Sequence, residues 1–495
     1  MAMIRLTATI GCVAILISAC GCSGGGSSGP PPPPSQPTVT LASTDLTQQS
    51  LYVENQQFTV TPAPTAFTFA NFVNPPNVKL SAGTTGGINS LSFTMADTSH
   101  GGITLTLRAP SSLAQATYDT PITAKVYADS TGDILVDTFT VTLHYTVTNS
   151  YTVSGANGYT ITALPVTAAG LAGNAKQNVI YADVLTDPAT NTYSVEALDP
   201  STGASLYAPV PGATPGVLAL SDDGQFLYAN VKGAVERLQA SSLAVNLTLP
   251  IDAGSSPRGS TVAVAPGLPH TVAVASSTAL TIFDDAVARA NSVPVPSNCG
   301  PDPGLNGSYS YIQWESPSAV YATVWPGNCL LGPATLCPFA VDGSGVTNKG
   351  GSCAVSEPSA MTFADGLGYA PGGQIFNPAG WTVVRTLSAP QIALSVVAPD
   401  TTLGVAFALA GSPASITSSG VSSIQSFNLA TGAPIANVRL PNMAYYGVAF
   451  DSDNGAPNSV NSLVRFGTNG IAISTDPAYL VPGYIIVITG AFVAP

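Results

Sequence analysis

Apolar and polar side chains alternate with a period of two along much of this chain, and no stretch sustains the 3.6-residue period of an amphipathic helix. In DTFTVTLHYTV, Phe139, Val141, Leu143, Tyr145 and Val147 point one way, while Thr138, Thr140, Thr142, His144 and Thr146 point the other. One face of that strand is core and the other is wet and threonine-lined. GITLTLRAP places Ile103, Leu105 and Leu107 likewise, and ITAKVYAD and FTFANF add further short strands. About seven or eight strands with no helical signal predict a two-sheet sandwich over residues 38–150.

Beyond it the alternating runs shorten and repeat. The pair Tyr-Ala recurs at Tyr181-Ala182, Tyr228-Ala229, Tyr321-Ala322 and Tyr369-Ala370, and Val274-Ala275 fills the gap, so the alanines are spaced by 46 to 48 residues. Each copy joins an alternating run, a turn and a second apolar run: GVLALSDDGQFLYAN, TVAVAPGLPHTVAVA, IQWESPSAVYATV, AMTFADGLGYA and LSVVAPDTTLGVAFA. A degenerate copy links GVAFDSDNG to LVRFGTNGIAI, and the opening copy NVIYADV brings the total to seven. VEALDPSTGASL, FAVDGSGVT and SFNLATGAPI read as strand, Asp- or Asn-led turn with glycine, strand, the chemistry of outer hairpins. A unit of this length is one four-stranded blade, so residues 151–495 are expected to form a seven-bladed β-propeller in an all-β chain. Residues 151–177 and the terminal run YIIVITGAF are expected to close the ring by pairing within one sheet.

The SDDG-Q-x-LYA and DPSTG signatures resemble the seven-bladed propellers of the lactonase-like and YVTN-repeat group, especially large bacterial surface proteins, over about residues 172–495. That resemblance implies the fold; its motifs are turn and packing signatures shared by many functions. The preceding module is similar to bacterial Ig-like domains, which usually act as spacers or adhesion units.

The amino terminus predicts a destination. Arg5 precedes a weakly polar to apolar stretch, Leu6 to Ile17, too short to span a membrane, and this leads into Ile17-Ser18-Ala19-Cys20. Those four residues resemble the bacterial lipobox, which implies a lipoprotein signal peptide over 1–19 and diacylation of Cys20. Gly21 follows the cysteine. It stands where aspartate would favour inner-membrane retention, so an outer-membrane or cell-surface location is expected. Residues 20–37 are Gly/Ser-rich and then carry five prolines, Pro30 to Pro34, a tether reaching on the order of 30 Å.

Composition supports an exported all-β protein. Only 8% of residues are charged, with 48 glycines and 42 prolines, and the net charge of −13 offers no basic patch for nucleic acid or anionic lipid. Membrane attachment is therefore expected through lipid only. Of seven cysteines, Cys299, Cys329, Cys337 and Cys353 cluster in the fourth copy, which implies two disulfides with three possible connectivities. Cys337 and Cys353 lie equally far from Gly345 and can face each other across a hairpin, which would leave Cys299 with Cys329. Zinc is the alternative, but no CxxC pair is present.

Catalytic equipment is sparse. His100 follows a turn, His144 lies on the wet face of a strand and His270 in a propeller hairpin, none within a nucleophile or metal motif. Asp451 and Asp453 in DSDNG hint at calcium but read first as an Asx turn. No cofactor is expected. The leading reading is a surface binding or adhesion scaffold with a protein or glycan ligand. The alternative is a propeller hydrolase or lyase, with Arg465 and Tyr445 as candidate channel residues; for Arg465, bonding turn carbonyls in the closing blade is the simpler role.

Overall fold

The computed structural model describes residues 35–52, 54, 58–60, 66–83, 86–155, 158–249, 261–276, 278–294, 308–325, 335–349, 354–356, 361–388, 393–411, 421–441, 463–475 and 483–493. The chain divides into two units, Met1–Asn149 and Ser150–Pro495.

In the first unit, nine described strands form two sheets. One sheet orders Thr38–Leu41, Phe67–Ala70, His100–Leu107 and Phe58–Val60, with Ile88–Met95 also on His100–Leu107. The other orders Asp45–Leu51, Leu135–Thr148, Ala116–Tyr127 and Asn77–Ala82. Asp45–Leu51 runs parallel to Leu135–Thr148, whereas Ala116–Tyr127 pairs with it antiparallel over its whole length. Both sheets feed one core in which Phe67, Leu105, Val126 and Leu143 are fully buried. The alternation read from the sequence sets the orientation. Val141, Leu143, Tyr145 and Val147 are at most 2% exposed, while Thr138 and Thr140 on the same strand lie in solvent.

In the second unit the strands group into seven blades. Blade I holds Ala168–Ala172, Ile180–Asp187 and Thr192–Leu198, and its outer edge is the first part of Val210–Leu220. The same strand then becomes the inner strand of blade II, beside Phe226–Val231, Ala234–Gln239 and Val245–Leu249. A register shift between Ala213 and Leu218 lets one strand serve both. Blade III is built on Thr261–Ala265, Leu268–Ala275 and Ala279–Asp284; blade IV on Ser308–Ser316, Ala319–Trp325, Thr335–Asp342 and Gly345–Asn348. Blade V comprises Thr362–Ala364, Leu367–Tyr369, Gln374–Asn377 and Thr382–Thr386, and blade VI Ala393–Asp400, Val405–Gly411, Val421–Asn428 and Pro434–Arg439.

Blade VII closes the ring. Its inner strands Leu463–Phe466 and Gly470–Ser474 come from late in the chain, as does Ile485–Gly490. The outer strands, Tyr159–Leu164 and Tyr151–Ser154, come from the start of the unit. Tyr159–Leu164 pairs antiparallel with Ile485–Gly490, Tyr159 facing Gly490 and Leu164 facing Ile485. The innermost strands touch in cyclic order, that of blade VII against that of blade I, so the array is a closed seven-bladed β-propeller.

The Tyr-Ala repeat is the packing rule between blades. Tyr181 of blade I shares a buried cluster with Ala229 of blade II, Tyr321 of IV with Ala370 of V, and Tyr369 of V with Ala408 of VI. A large side chain fills the room left by a small one in the following blade, so the phenol is buried without overpacking. Blade III departs from the sequence alignment. There Val272 and Val274 pack back toward Tyr228 of blade II, and Ala273 and Ala275 face blade IV. Its step of 46 residues is one shorter than its neighbours, and one residue turns every strand side chain to the opposite face.

Candidate functional site

The seven inner strands that encircle the axis are built mostly from small and apolar side chains. Among their described residues the only carboxylates are Glu315 and Asp400. Both have partners within the protein. Tyr321 is hydrogen-bonded to Glu315, and Arg465 Nε donates to Asp400 Oδ2 at 2.9 Å.

Arg465 therefore sits at the blade VI–VII junction. Its guanidinium also donates to the carbonyls of Gly470 and, at 3.2 Å, Thr468, and it lies over the Phe407 ring. The side chains are only 10% and 7% exposed, for Arg465 and Asp400 respectively. Burial alone would raise the Asp400 pKa, but hydrogen bonds from Thr402, Arg465 and the Leu403 N–H outweigh it and hold the carboxyl below its ordinary range. Arg465 thus meets a partner from the neighbouring blade as well as the turn carbonyls. Tyr445, its candidate companion, lies outside the described residues, as do Asp451 and Asp453.

A second junction, between blades II and III, gathers residues that the sequence left apart. Arg237 on Ala234–Gln239 pairs with Asp285, and the same Asp285 Oδ1 lies 2.8 Å from His270 Nδ1. Arg237 Nε donates to Asn246 Oδ1 at 3.0 Å, and its guanidinium caps the Phe226 ring at 4.7 Å. The Arg237 hydrogen bond, then that of His270, lowers the Asp285 pKa. At the next junction Arg289 Nε donates to Asp284 Oδ2 at 2.8 Å and Nη1 to the Asp342 carbonyl of blade IV at 2.6 Å. The bonds that cross the junctions are long in sequence, 48 residues from Arg237 to Asp285 and 53 from Arg289 to the Asp342 carbonyl, whereas Asp284 meets Arg289 only five residues on.

Of the clustered cysteines, Cys337 alone is described; it is 5% exposed and disulfide-bonded. Cys299, Cys329 and Cys353 lie outside the described residues, as do Cys20 and the whole of 1–34. In the first unit, His144 Nδ1 lies 2.7 Å from Asp119 Oδ1 and His100 Nδ1 lies 2.8 Å from Asp97 Oδ2. Both are surface pairs within sheets or turns. Among the described residues no group of three or more His, Cys, Asp or Glu is placed to hold a metal.

No protein-family model matches the chain, and no curated protein matches it. Solved structures do. The chain is similar to the β-propeller domain of Cps50 (Swd1) from Myceliophteria thermophila at 12% identity, with 68% of this chain and 98% of that one covered and a TM-score of 0.40. It is similar at 12% identity to a luciferin-regenerating enzyme, covering 56% of this chain and 92% of that one, with a TM-score of 0.34.

Proposed function

We propose that this protein is a lipid-anchored cell-envelope protein whose propeller binds a protein or glycan partner, held away from the membrane by an Ig-like sandwich and a Gly/Ser/Pro tether. The observation that supports the binding role is the use of charge. The charged side chains of the described inner strands are engaged in bonds within or between blades, as in Arg465–Asp400, which suits a rigid platform for recognition. The lipobox-like run ending at Cys20 supports the anchor, and the small Gly21 after it supports an outer-membrane or surface location. Cys20→Ala is expected to release the protein from the membrane fraction or leave it unprocessed. A variant that is cleaved normally and stays membrane-bound overturns the anchor. Profiling residues 38–495 against envelope proteins and glycans tests the binding role, and a propeller that captures nothing from either set overturns it.

A second reading, a propeller hydrolase or lyase, is favoured by one arrangement: the His270 ring oriented by Asp285 beside Arg237. It predicts turnover of simple lactones or esters that His270→Gln removes. Turnover that survives the substitution, or none in the unaltered protein, sinks that reading.

A further inference from the structure

We propose that the junction of blades IV and V is a binding site for an organic ammonium ion, a quaternary or N-alkylated amine, with Trp381 and Phe363 as aromatic walls and Glu315 as counter-charge. The inference rests on the propeller being a binding module and supplies a ligand class for it.

Tyr321 is the floor of the site. It is 2% exposed; its ring centre lies 4.6 Å from that of Phe363 at 21° and 5.8 Å from that of Trp381 at 89°. Phe376 backs Trp381 at 5.9 Å. Phe363, Trp381 and Glu315 are half-buried, so each keeps part of its surface in water. Burial, and then the Glu315 charge and hydrogen bond, pushes the Tyr321 pKa well up. The phenol donates to Glu315, which places a carboxylate at the hydroxyl end of the Tyr321 ring.

The other blades show that packing alone does not require this arrangement. The equivalent Tyr181 and Tyr228 hydroxyls donate to backbone carbonyls of the following blade, Ala240 and Pro269, both at 2.9 Å. Trp381 is the fifth residue of the turn Asn377-Pro378-Ala379-Gly380-Trp381, with φ +51°. The same place in other blades holds Gly203, Gly432 or Leu243, with φ of +72°, +75° and +57°. Leu243 is 2% exposed and shares its cluster with Tyr181, so a leucine suffices to cover the tyrosine. A tryptophan there takes a backbone conformation rare for bulky residues and adds a second large ring, only partly buried, to the junction.

Ring faces carry negative electrostatic potential, and a carboxylate bonded to the tyrosine that both rings pack on adds to the attraction for a cation there. The charge acting on Tyr321 is the negative one of Glu315. A sugar could stack on the same rings without needing that charge, so the charge favours the ammonium ion.

The test uses the full chain and choline, with its neutral isostere in which carbon replaces nitrogen. Choline is expected to shift the Trp381 indole N–H resonance, assigned by its loss in Trp381→Leu. The isostere should bind at least about tenfold more weakly. Trp381→Leu, which installs the residue blade II carries at this turn, should abolish choline binding at an unchanged melting temperature. Glu315→Gln should weaken it by about tenfold. Equal binding of choline and isostere, an indole that ignores choline, or tighter binding of a methyl pyranoside overturns the site. A protein that captures an envelope partner yet ignores choline loses only this site, whereas one that does neither loses the binding role as well.

Discussion

The two units solve the same problem, burying the faces of short strands, by opposite means. The two-sheet unit collects its apolar side chains into one cluster fed by both sheets, with Phe67, Leu105, Val126 and Leu143 at the centre. The propeller divides them among junctions, such as those around Tyr181, Tyr228, Tyr321 and Tyr369, each shared by two blades only. Ion pairs follow the same division. Asp400 and Arg465 are buried between blades, whereas His144 and Asp119 are surface groups on adjacent strands. A single core spreads a local defect through the whole unit, while a ring is held by its weakest junction.

The largest break in that comparison comes from the closing strand. Deleting residues 484–495 removes the partner of Tyr159–Leu164, and the propeller's calorimetric transition should disappear while that of the two-sheet unit stays in place. A truncated propeller that melts as late and as cooperatively as the intact one would show that another junction holds the ring.

The next effect is at a single junction. Arg465→Met leaves Asp400 buried without its cationic partner, held only by Thr402 and the Leu403 N–H, which should cost about 3 kcal/mol of propeller stability. Its pH dependence has a definite sign. The Asp400 pKa is lower folded than unfolded, so its contribution is present above the unfolded value near 3.8 and is lost as pH falls through the folded one. Acid also weakens the two-sheet unit, where Asp97 and Asp129 are held at about 2, chiefly by hydrogen bonds from the Ser99 N–H and the Thr131 hydroxyl respectively. The variant separates the two: Arg465→Met should flatten the acid limb of the propeller transition alone, as read by calorimetry between pH 5 and 2.

Reduction of the Cys337 disulfide should lower propeller stability by about 2 to 4 kcal/mol without moving the two-sheet transition. Mass mapping is expected to join Cys337 to Cys353. Leu336 and Ala354, their immediate chain neighbours, face each other in paired strands. Four free thiols in the purified protein would refute this.

The smallest effect lies on the threonine-lined face. The Asp119 hydrogen bond raises the His144 pKa above its usual 6.5. The gain is therefore complete below pH 6.5 and is lost as pH rises through the higher folded value. Both groups are largely solvated, so the two-sheet transition should fall only slightly between pH 6 and 8, and His144→Gln should remove even that. A large drop would mean that this pair joins strands more firmly than its exposure implies.

What could be read from the sequence follows from how far each feature reaches along the chain. Val141 to Val147 declare their faces within one strand, because strand alternation is local. Tyr181 and Ala229 declare a junction because the repeat brings equivalent positions into contact. Ala275 misleads for the same reason: a repeat one residue short keeps the letter and reverses the face. Arg237, His270 and Asp285 were invisible as a group, since neither turn shows which blade it will touch. Trp381 carries no signal of its own in the sequence; its contact with Tyr321 is visible only in the fold.

The strand that closes blade VII also imposes an order in time. Gly483 N–H bonds to Thr167 Oγ1 across 316 residues of chain, and Tyr159 waits for Gly490 from further still. While the polypeptide is being made, blades I to VI can assemble against one another in sequence, but the ring stays open until Ile485–Gly490 has been made. A product that stops before Ile485 keeps Tyr159–Leu164 as an unpaired edge, open to proteases and to other unfinished chains. Ile485–Gly490 is thus the latch of the ring, and a product without it keeps blade VII unfinished.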